Sequence, residues 1–270
     1  MNLRNASKIA SKNGVKIVAN FENHKNSLQY TEYLLVYITF INQSYKFRFM
    51  GVFKTNIHGN SNIGLYLFCN DKFCLVGKSV EDFKIAEIEK ALKVPVHKIT
   101  IAGTDLIGAF IAGNNNKIIV PEITYEHELR HLDNLGISYT VIETSLTALG
   151  NNVLTNDNFA IVNPEFSAVV KKQIRQALGV KVVPGTLMQS DVVGSLGILK
   201  NDFTILCEDA DKDEIKKVET LLNQKAFLTT IGTYNHIGSS LVANSYGFVI
   251  GEDVRSDEIL IIEDALGKRE

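Results

Sequence analysis

The sequence predicts an α/β propeller of five repeated units, closed into a ring by a strand that stands before the first of them. Three observations carry this reading. A glycine recurs at Gly64, Gly108, Gly150, Gly194 and Gly238, with spacings of 44, 42, 44 and 44 residues. An asparagine follows six residues later at Asn70, Asn114, Asn156 and Asn244, and one residue late at Asn201. A charged, helix-patterned stretch then ends in Leu92, Leu135, Leu178, Leu222 or Leu266. Self-similarity at such a period marks stacked units, none of which can bury its apolar face alone.

Each unit opens with two apolar runs around the asparagine, as in "NIGLYLFCNDKFCLVG" (62–77) and "LIGAFIAGNNNKIIVP" (106–121). This reads as a β-hairpin, its turn made by a short amide side chain that tolerates the left-handed conformation. The helix comes next. Ile85, Ile88 and Leu92 in the first unit, and Ile215, Val218 and Leu222 in the fourth, fall on one helical face. A second strand-like run follows: "VPVHKITIAG", "ISYTVIET", "VKVVPGTL" and "KAFLTTIGTY". After Leu266 only "GKRE" remains, so the fifth unit lacks that strand, and "YKFRFMGVFKTNIHG" (45–59) can supply it. Closure of this kind removes exposed sheet edges. It also explains the glycines, because equivalent backbones crowd near a fivefold axis and a residue without Cβ permits the approach.

Composition narrows the class. With 270 residues and 45% hydrophobic content, the chain can bury a sizeable core. Three cysteines, Cys69, Cys74 and Cys207, are too few and odd in number for a disulfide framework, so a reducing, cytoplasmic setting is expected. The apolar run "YLLVYITFI" (33–41) is too short to span a bilayer, and no signal peptide is evident, so a soluble chain without membrane partners is expected. Residues 1–48 carry a surplus of five positive charges, which leaves −7 for residues 49–270. A body of that sign is suited to a basic protein partner and poorly suited to clasping phosphates along its length.

One motif competes with the repeat. "YEHELRHLDN" (125–134) holds His127-Glu128-Leu129-Arg130-His131, an H-E-x-x-H pattern that on a helix could bind zinc with the glutamate as general base. It occupies the helix position of the second unit, with Leu129, Leu132 and Leu135 as the apolar stripe and the histidines toward solvent. The extended form H-E-x-x-H-x-x-G-x-x-H is absent. The motif reads as a solvated helix flank, and no metal, cofactor or catalytic residue is expected. No phosphate loop of the form G-x-x-x-x-G-K-[ST] is present.

"ALGNNVLTNDNFAIVNPEFS", "IAGTDLIGAFIAGNNNKIIVP" and "IGTYNHIGSSLVANSYGFVIG" resemble the translation initiation factor 6 family of archaea and eukaryotes, and the resemblance runs from about Met50 to Leu266. It implies the pentein fold, a fivefold α/β propeller. It also implies binding to the large ribosomal subunit on its intersubunit face, blocking of premature subunit joining, and assistance in late maturation of that subunit. The partner surface would be chiefly a basic ribosomal protein, with a minor rRNA contact, and the factor would act as a monomer. Residues 1–46 have no counterpart in the family. They are expected to be a basic extension, disordered or read from a start placed too far upstream, ahead of an array at 47–270. The acidic tail of eukaryotic members is missing, which points to an archaeal-type factor.

The alternative is a pentein enzyme that modifies guanidino groups. Such chemistry needs a cysteine nucleophile in the last unit with a histidine converging on it, and residues 237–267 contain neither type. For the binding reading, the residues flanking the glycines should gather at one end of the ring. The expected partner-binding set is Ser61, Asp105, Thr147, Asp191 and Asn235 before the glycines, with Asn151, Ser195 and Ser239 after them. Asn151, inside "ALGN", is the leading member. Helix residues such as Glu214 are expected to lie on the rim and to matter little.

Overall fold

The computed structural model describes residues 51–231 and 236–267, together with the backbone of four strands nearer the N-terminus. The chain divides into two compact units, Met1–Phe49 and Met50–Glu270. In the first, β1 (Ser7–Lys12), β2 (Val15–Phe21), β3 (Leu34–Phe40) and β4 (Gln43–Ser44) form an antiparallel sheet in sequence order. The run "YLLVYITFI" supplies β3, whose Tyr37 pairs with Val18.

The second unit is built from five three-stranded sheets. The first sheet joins β6 (Leu67–Cys69), β7 (Cys74–Gly77) and β8 (Val96–Ile99), with α1 (Asp82–Leu92) between the last two. β6 and β7 are antiparallel across the asparagine turn, while β7 and β8 are parallel, with Leu75 opposite His97. A parallel pair needs a crossover rather than a tight turn, which is why a helix follows every hairpin. In the second repeat α2 (Ile107–Phe110) precedes β9 (Ala112–Gly113) and β10 (Ile118–Pro121), and α3 (Glu126–Asn134) leads to β11 (Tyr139–Ile142). The third has α4 (Leu149–Asn152), β12 (Val153–Thr155), β13 (Phe159–Val162), α5 (Ala168–Leu178) and β14 (Lys181–Pro184). The fourth has β15 (Gly197–Leu199), β16 (Thr204–Cys207), α6 (Lys212–Leu222) and β17 (Ala226–Thr229). The fifth has α7 (Ile237–Ser240), β18 (Leu241–Ala243), β19 (Gly247–Gly251) and α8 (Ser256–Gly267).

The missing strand of the fifth sheet is β5 (Gly51–Thr55), parallel to β19 with Val52 opposite Phe248. The expected strand thus comes from the N-terminal side of the array, and five described residues of the 45–59 segment form it. Short helical turns at Ile63–Leu65 and Val193–Ser195 replace α2, α4 and α7 in the first and fourth repeats. These five turns touch one another in sequence order, and the fifth touches the first. The five repeated α/β units of the sequence reading are all present.

The core sits at the seams between repeats. Ile88 and Leu92 of α1 pack with Phe53 of β5 and Val249 of β19, and Val170, Ile174 and Leu178 of α5 pack with Ile119 and Ile142 of the second sheet. Each middle strand is therefore enclosed on both faces. Cys74, Leu75, Val76 and Gly77 are all buried, as is the whole of β19, in keeping with continuous apolar runs in strands covered on both sides. In α3 the stripe is weaker than expected, since Leu132 alone is fully buried and Leu129 and Leu135 are half-buried.

Candidate functional site

At one end of the array, the glycines meet. A Cβ built on Gly108 would lie well under 3.0 Å from the Gly64 carbonyl oxygen, and the same holds for Gly150 on Gly108, Gly194 on Gly150, Gly238 on Gly194 and Gly64 on Gly238. The five contacts form a closed cycle. Residues two before the following buried apolar side chain repeat one backbone geometry, in which Ser61, Asp105 and Thr147 accept from the N–H of Ile63, Ile107 and Leu149 at 2.9 Å. The described residues that flank these glycines lie beside them at this end, in different environments. Ser61, Asp105, Thr147, Asn151, Asp191 and Ser239 are half-buried. Ser195 is buried, its hydroxyl donating to the Val192 carbonyl at 2.8 Å and lying 3.2 Å from His236 Nδ1. Asn235 lies outside the described residues.

The two acids differ. The Asp105 carboxylate accepts from the N–H of Lys78 at 2.9 Å, from the N–H of Ser79 at 3.2 Å and from the Ser79 hydroxyl. It thereby secures the turn that follows β7. Asp191 is half-buried and shows no such bond among the described residues. Asn151 donates its backbone N–H to Ala148, and its neighbour Asn152 is buried and bonded to Asn163 at 2.7 Å.

The H-E-x-x-H residues separate into two roles. His127 and His131 are exposed, and His127 stacks on Tyr125 with ring centroids 5.6 Å apart. Glu128 is 3% exposed, against the expectation of a solvated flank. Its carboxylate accepts from the N–H groups of Ala102 (2.8 Å), Gly103 (2.9 Å) and Tyr125 (2.9 Å). Burial alone would raise its pKa. The hydrogen bonds from the Thr100 side chain and these backbone groups outweigh it and hold the carboxyl below its ordinary range. Ala102 and Gly103 are both left-handed, with φ of 52° and 73°, so Glu128 clamps a two-residue turn whose N–H groups converge.

The same device recurs in other repeats. Glu214 accepts from Met188 N–H at 2.7 Å and Gln189 N–H at 3.4 Å, again on two left-handed residues, and Glu258 accepts from Thr230 Oγ1 and Arg255 N–H. Glu214 is thus a structural anchor for the turn at Met188–Gln189. The signal was legible: Glu128, Glu214 and Glu258 each stand 20 residues after an axial glycine and just before an apolar helix residue. Among the described residues no group of three or more His, Cys, Asp or Glu side chains is placed to hold a metal.

At the opposite end, the asparagines close the turns by a route other than the expected left-handed backbone, since none of Asn70, Asn114, Asn156 and Asn244 has a positive φ. Each is buried and uses Oδ1 to accept from the N–H groups two and three residues on, as in Asn70 with Lys72 and Phe73. Nδ2 then donates to the next repeat: Asn70 to the Asn114 carbonyl, Asn114 to Asn156, Asn156 to Lys200, and Asn244 to Asn70. One residue later, Asp71 and Asp157 act as acceptors and Asn115, Asn201 and Ser245 as donors. Asn115 donates to both Asp71 and Asp157 at 2.9 Å, Asn201 to Asp157 at 2.6 Å, and Ser245 to Asp71 at 3.0 Å. The late asparagine of the fourth repeat therefore belongs to this outer chain of contacts, which runs from Asn201 through Asp157, Asn115 and Asp71 to Ser245. Lys200, in its place, reaches the Cys69 carbonyl at 3.3 Å.

All three cysteines are free and buried. Burial pushes the Cys69 thiol up to about 11, Cys74 well above its ordinary value and Cys207 upward as well.

A family model described as the eIF-6 family matches residues 52–265, from β5 to α8. The chain belongs to the eIF-6 family. It is similar to proteins named "Translation initiation factor 6" from Saccharolobus islandicus (strain L.S.2.15 / Lassen #1), at 34% identity over 81% of this chain and 100% of the relative. The corresponding protein of Thermococcus onnurineus (strain NA1) is 30% identical over 81% of this chain and 99% of its own length. That of Pyrococcus furiosus (strain ATCC 43587 / DSM 3638 / JCM 8422 / Vc1) is 34% identical over the same shares. The eIF-6 family match thus takes in the ring of glycines, the asparagine turns, all five sheets and the turns held by Glu128 and Glu214.

Proposed function

We propose that this chain is a translation initiation factor that binds the large ribosomal subunit at its intersubunit face and keeps the small subunit from joining. The family match over the whole five-unit array carries this reading. The factor is non-catalytic and acts by occupying space. Three buried thiols with raised pKa values support that, because a thiolate is the form that attacks. The net charge of −7 on residues 49–270 favours a basic ribosomal protein as the main contact, with a minor rRNA contact, and long-range attraction would speed encounter. The glycine end, with Asn151 and Asp191, is the proposed docking face of a cytoplasmic, monomeric, pentein-type propeller, and the same occupancy would accompany late maturation of the subunit.

The test is cosedimentation of the protein with separated subunits, followed by light scattering of subunit joining. Retention on the large subunit and slowed joining without nucleotide consumption are expected. Normal joining at saturating protein would refute the reading.

A further inference from the structure

At the asparagine end, the seam between the first and second repeats contains a cavity of about 280 Å³. Its lining includes Lys72, Lys117 and His97, with Phe73 and Asn116 beside them, and none of its twelve lining residues is a carboxylate. In a body carrying a net −7 this is an anomaly. Among the described residues, neither lysine nor the histidine makes an ion pair or side-chain hydrogen bond. Two ammonium groups lining one cavity repel, and among the described residues neither has a carboxylate within ion-pair reach.

The repeat shows how the cavity arises. The residue nine after each axial glycine is Phe73, Lys117, Phe159, Phe203 and Gly247 in turn. In the fourth repeat this aromatic is buried in the core, with Phe203 1% exposed. The second repeat has a lysine there, which leaves space and adds charge. The C-terminal end of α3 also borders the cavity, and free carbonyls there would repel an anion. They are occupied: His131, Leu132 and Asp133 accept from the N–H groups of Leu135, Ile137 and Gly136 at 2.9–3.1 Å.

We infer that this cavity is a binding site for a phosphate group, held by Lys72, Lys117 and His97, whether the phosphate is free or part of an RNA backbone. Lysine ammonium groups act on phosphate as point charges, and an imidazole N–H adds a directed donor. The inference stands independently of the ribosome reading, since it concerns the isolated protein.

The experiment follows the His97 imidazole resonances by NMR, assigned with His97→Gln, while the full chain is titrated at low salt. One titration uses inorganic phosphate and another a single-stranded oligouridine RNA. The paired variant is Lys72→Gln/Lys117→Gln, and the control is Lys216→Gln/Lys217→Gln on α6, with melting curves to confirm folding. The expected result is saturable movement of the His97 signals, weakened at least tenfold in the paired variant and unchanged in the control. Saturation by phosphate alone identifies a free anion as sufficient. Saturation only by RNA, declining as salt rises, identifies the nucleic-acid backbone. Absence of any saturable shift with both probes, or equal weakening in the two variants, overturns the inference.

Discussion

Gly150 sits so close to the Gly108 carbonyl oxygen that no side-chain carbon fits between them. The neighbouring atoms are backbone from another repeat, so relief requires the ring itself to shift. Gly150→Ala should therefore lie at the upper end of the roughly 1–3 kcal/mol typical of overpacking. For a chain of this size that is a melting temperature lower by about 6–12 °C. Gly179, with φ of 69° and open space around it, is the control. Gly179→Asn should be nearly neutral, because asparagine tolerates the left-handed region. Equal losses at the two positions would show that crowding is not the cause.

Glu128→Ala should destabilise the array by about 1–3 kcal/mol, because it removes three backbone hydrogen bonds to a buried carboxylate. The pH dependence has a definite sign. Since the folded carboxyl titrates below its ordinary 4.5, its contribution is complete above that value and is lost as pH falls through the lower folded one. Denaturant melts at pH 7 and in acid should show the gap between wild type and variant closing in acid. A gap that widened there would contradict the clamp.

His127→Ala with His131→Ala should change stability by a few tenths of a kcal/mol, as is usual for exposed positions. The protein should purify without stoichiometric zinc in both forms. Zinc that survives purification and disappears in the double variant would reverse this.

Deletion of residues 1–44 should leave the melting temperature of the array nearly unchanged, because its fifth sheet is completed by Gly51–Thr55. Calorimetry of the truncated chain is the check. A marked fall would assign the upstream sheet a stabilising part.

Asp191→Lys should weaken large-subunit binding by about 1–3 kcal/mol if central in the interface, with no change in melting. Asp105→Lys should lower the melting temperature too, because its carboxylate holds the Lys78 and Ser79 N–H groups. The exposed Glu89 is the proper helix control, with Glu89→Lys leaving both binding and melting unaltered. Loss of binding from Glu89→Lys with retention in Asp191→Lys would move the docking face to the helices.

The repeat was legible because it is written in residue types with narrow physical roles. Only glycine fits the crowded axis, so five glycines at one phase located all five units, and the absent last strand located β5. The buried asparagines were legible as turns but not as couplers, because the partner of each amide lies some 44 residues away in a neighbouring repeat. Glu128 was misread as solvated for a related reason. A helix wheel shows its angle to the apolar stripe and cannot show the turn at Ala102–Gly103 folding over it. Among the proposed docking residues, position along the axis followed from phase, whereas the burial of Ser195 depended on His236 across the seam.

The cycle of glycine contacts has a consequence for how such a chain can change over time. An open solenoid can gain or lose a repeat at little cost, since each copy meets only its neighbours. Here every copy also helps set the circumference, because the Gly238 carbonyl must arrive beside Gly64. A duplicated or deleted copy would leave that meeting point out of reach. Unit number is thereby fixed, and divergence is confined to substitution within copies, of which Lys117 and Lys200 are two instances.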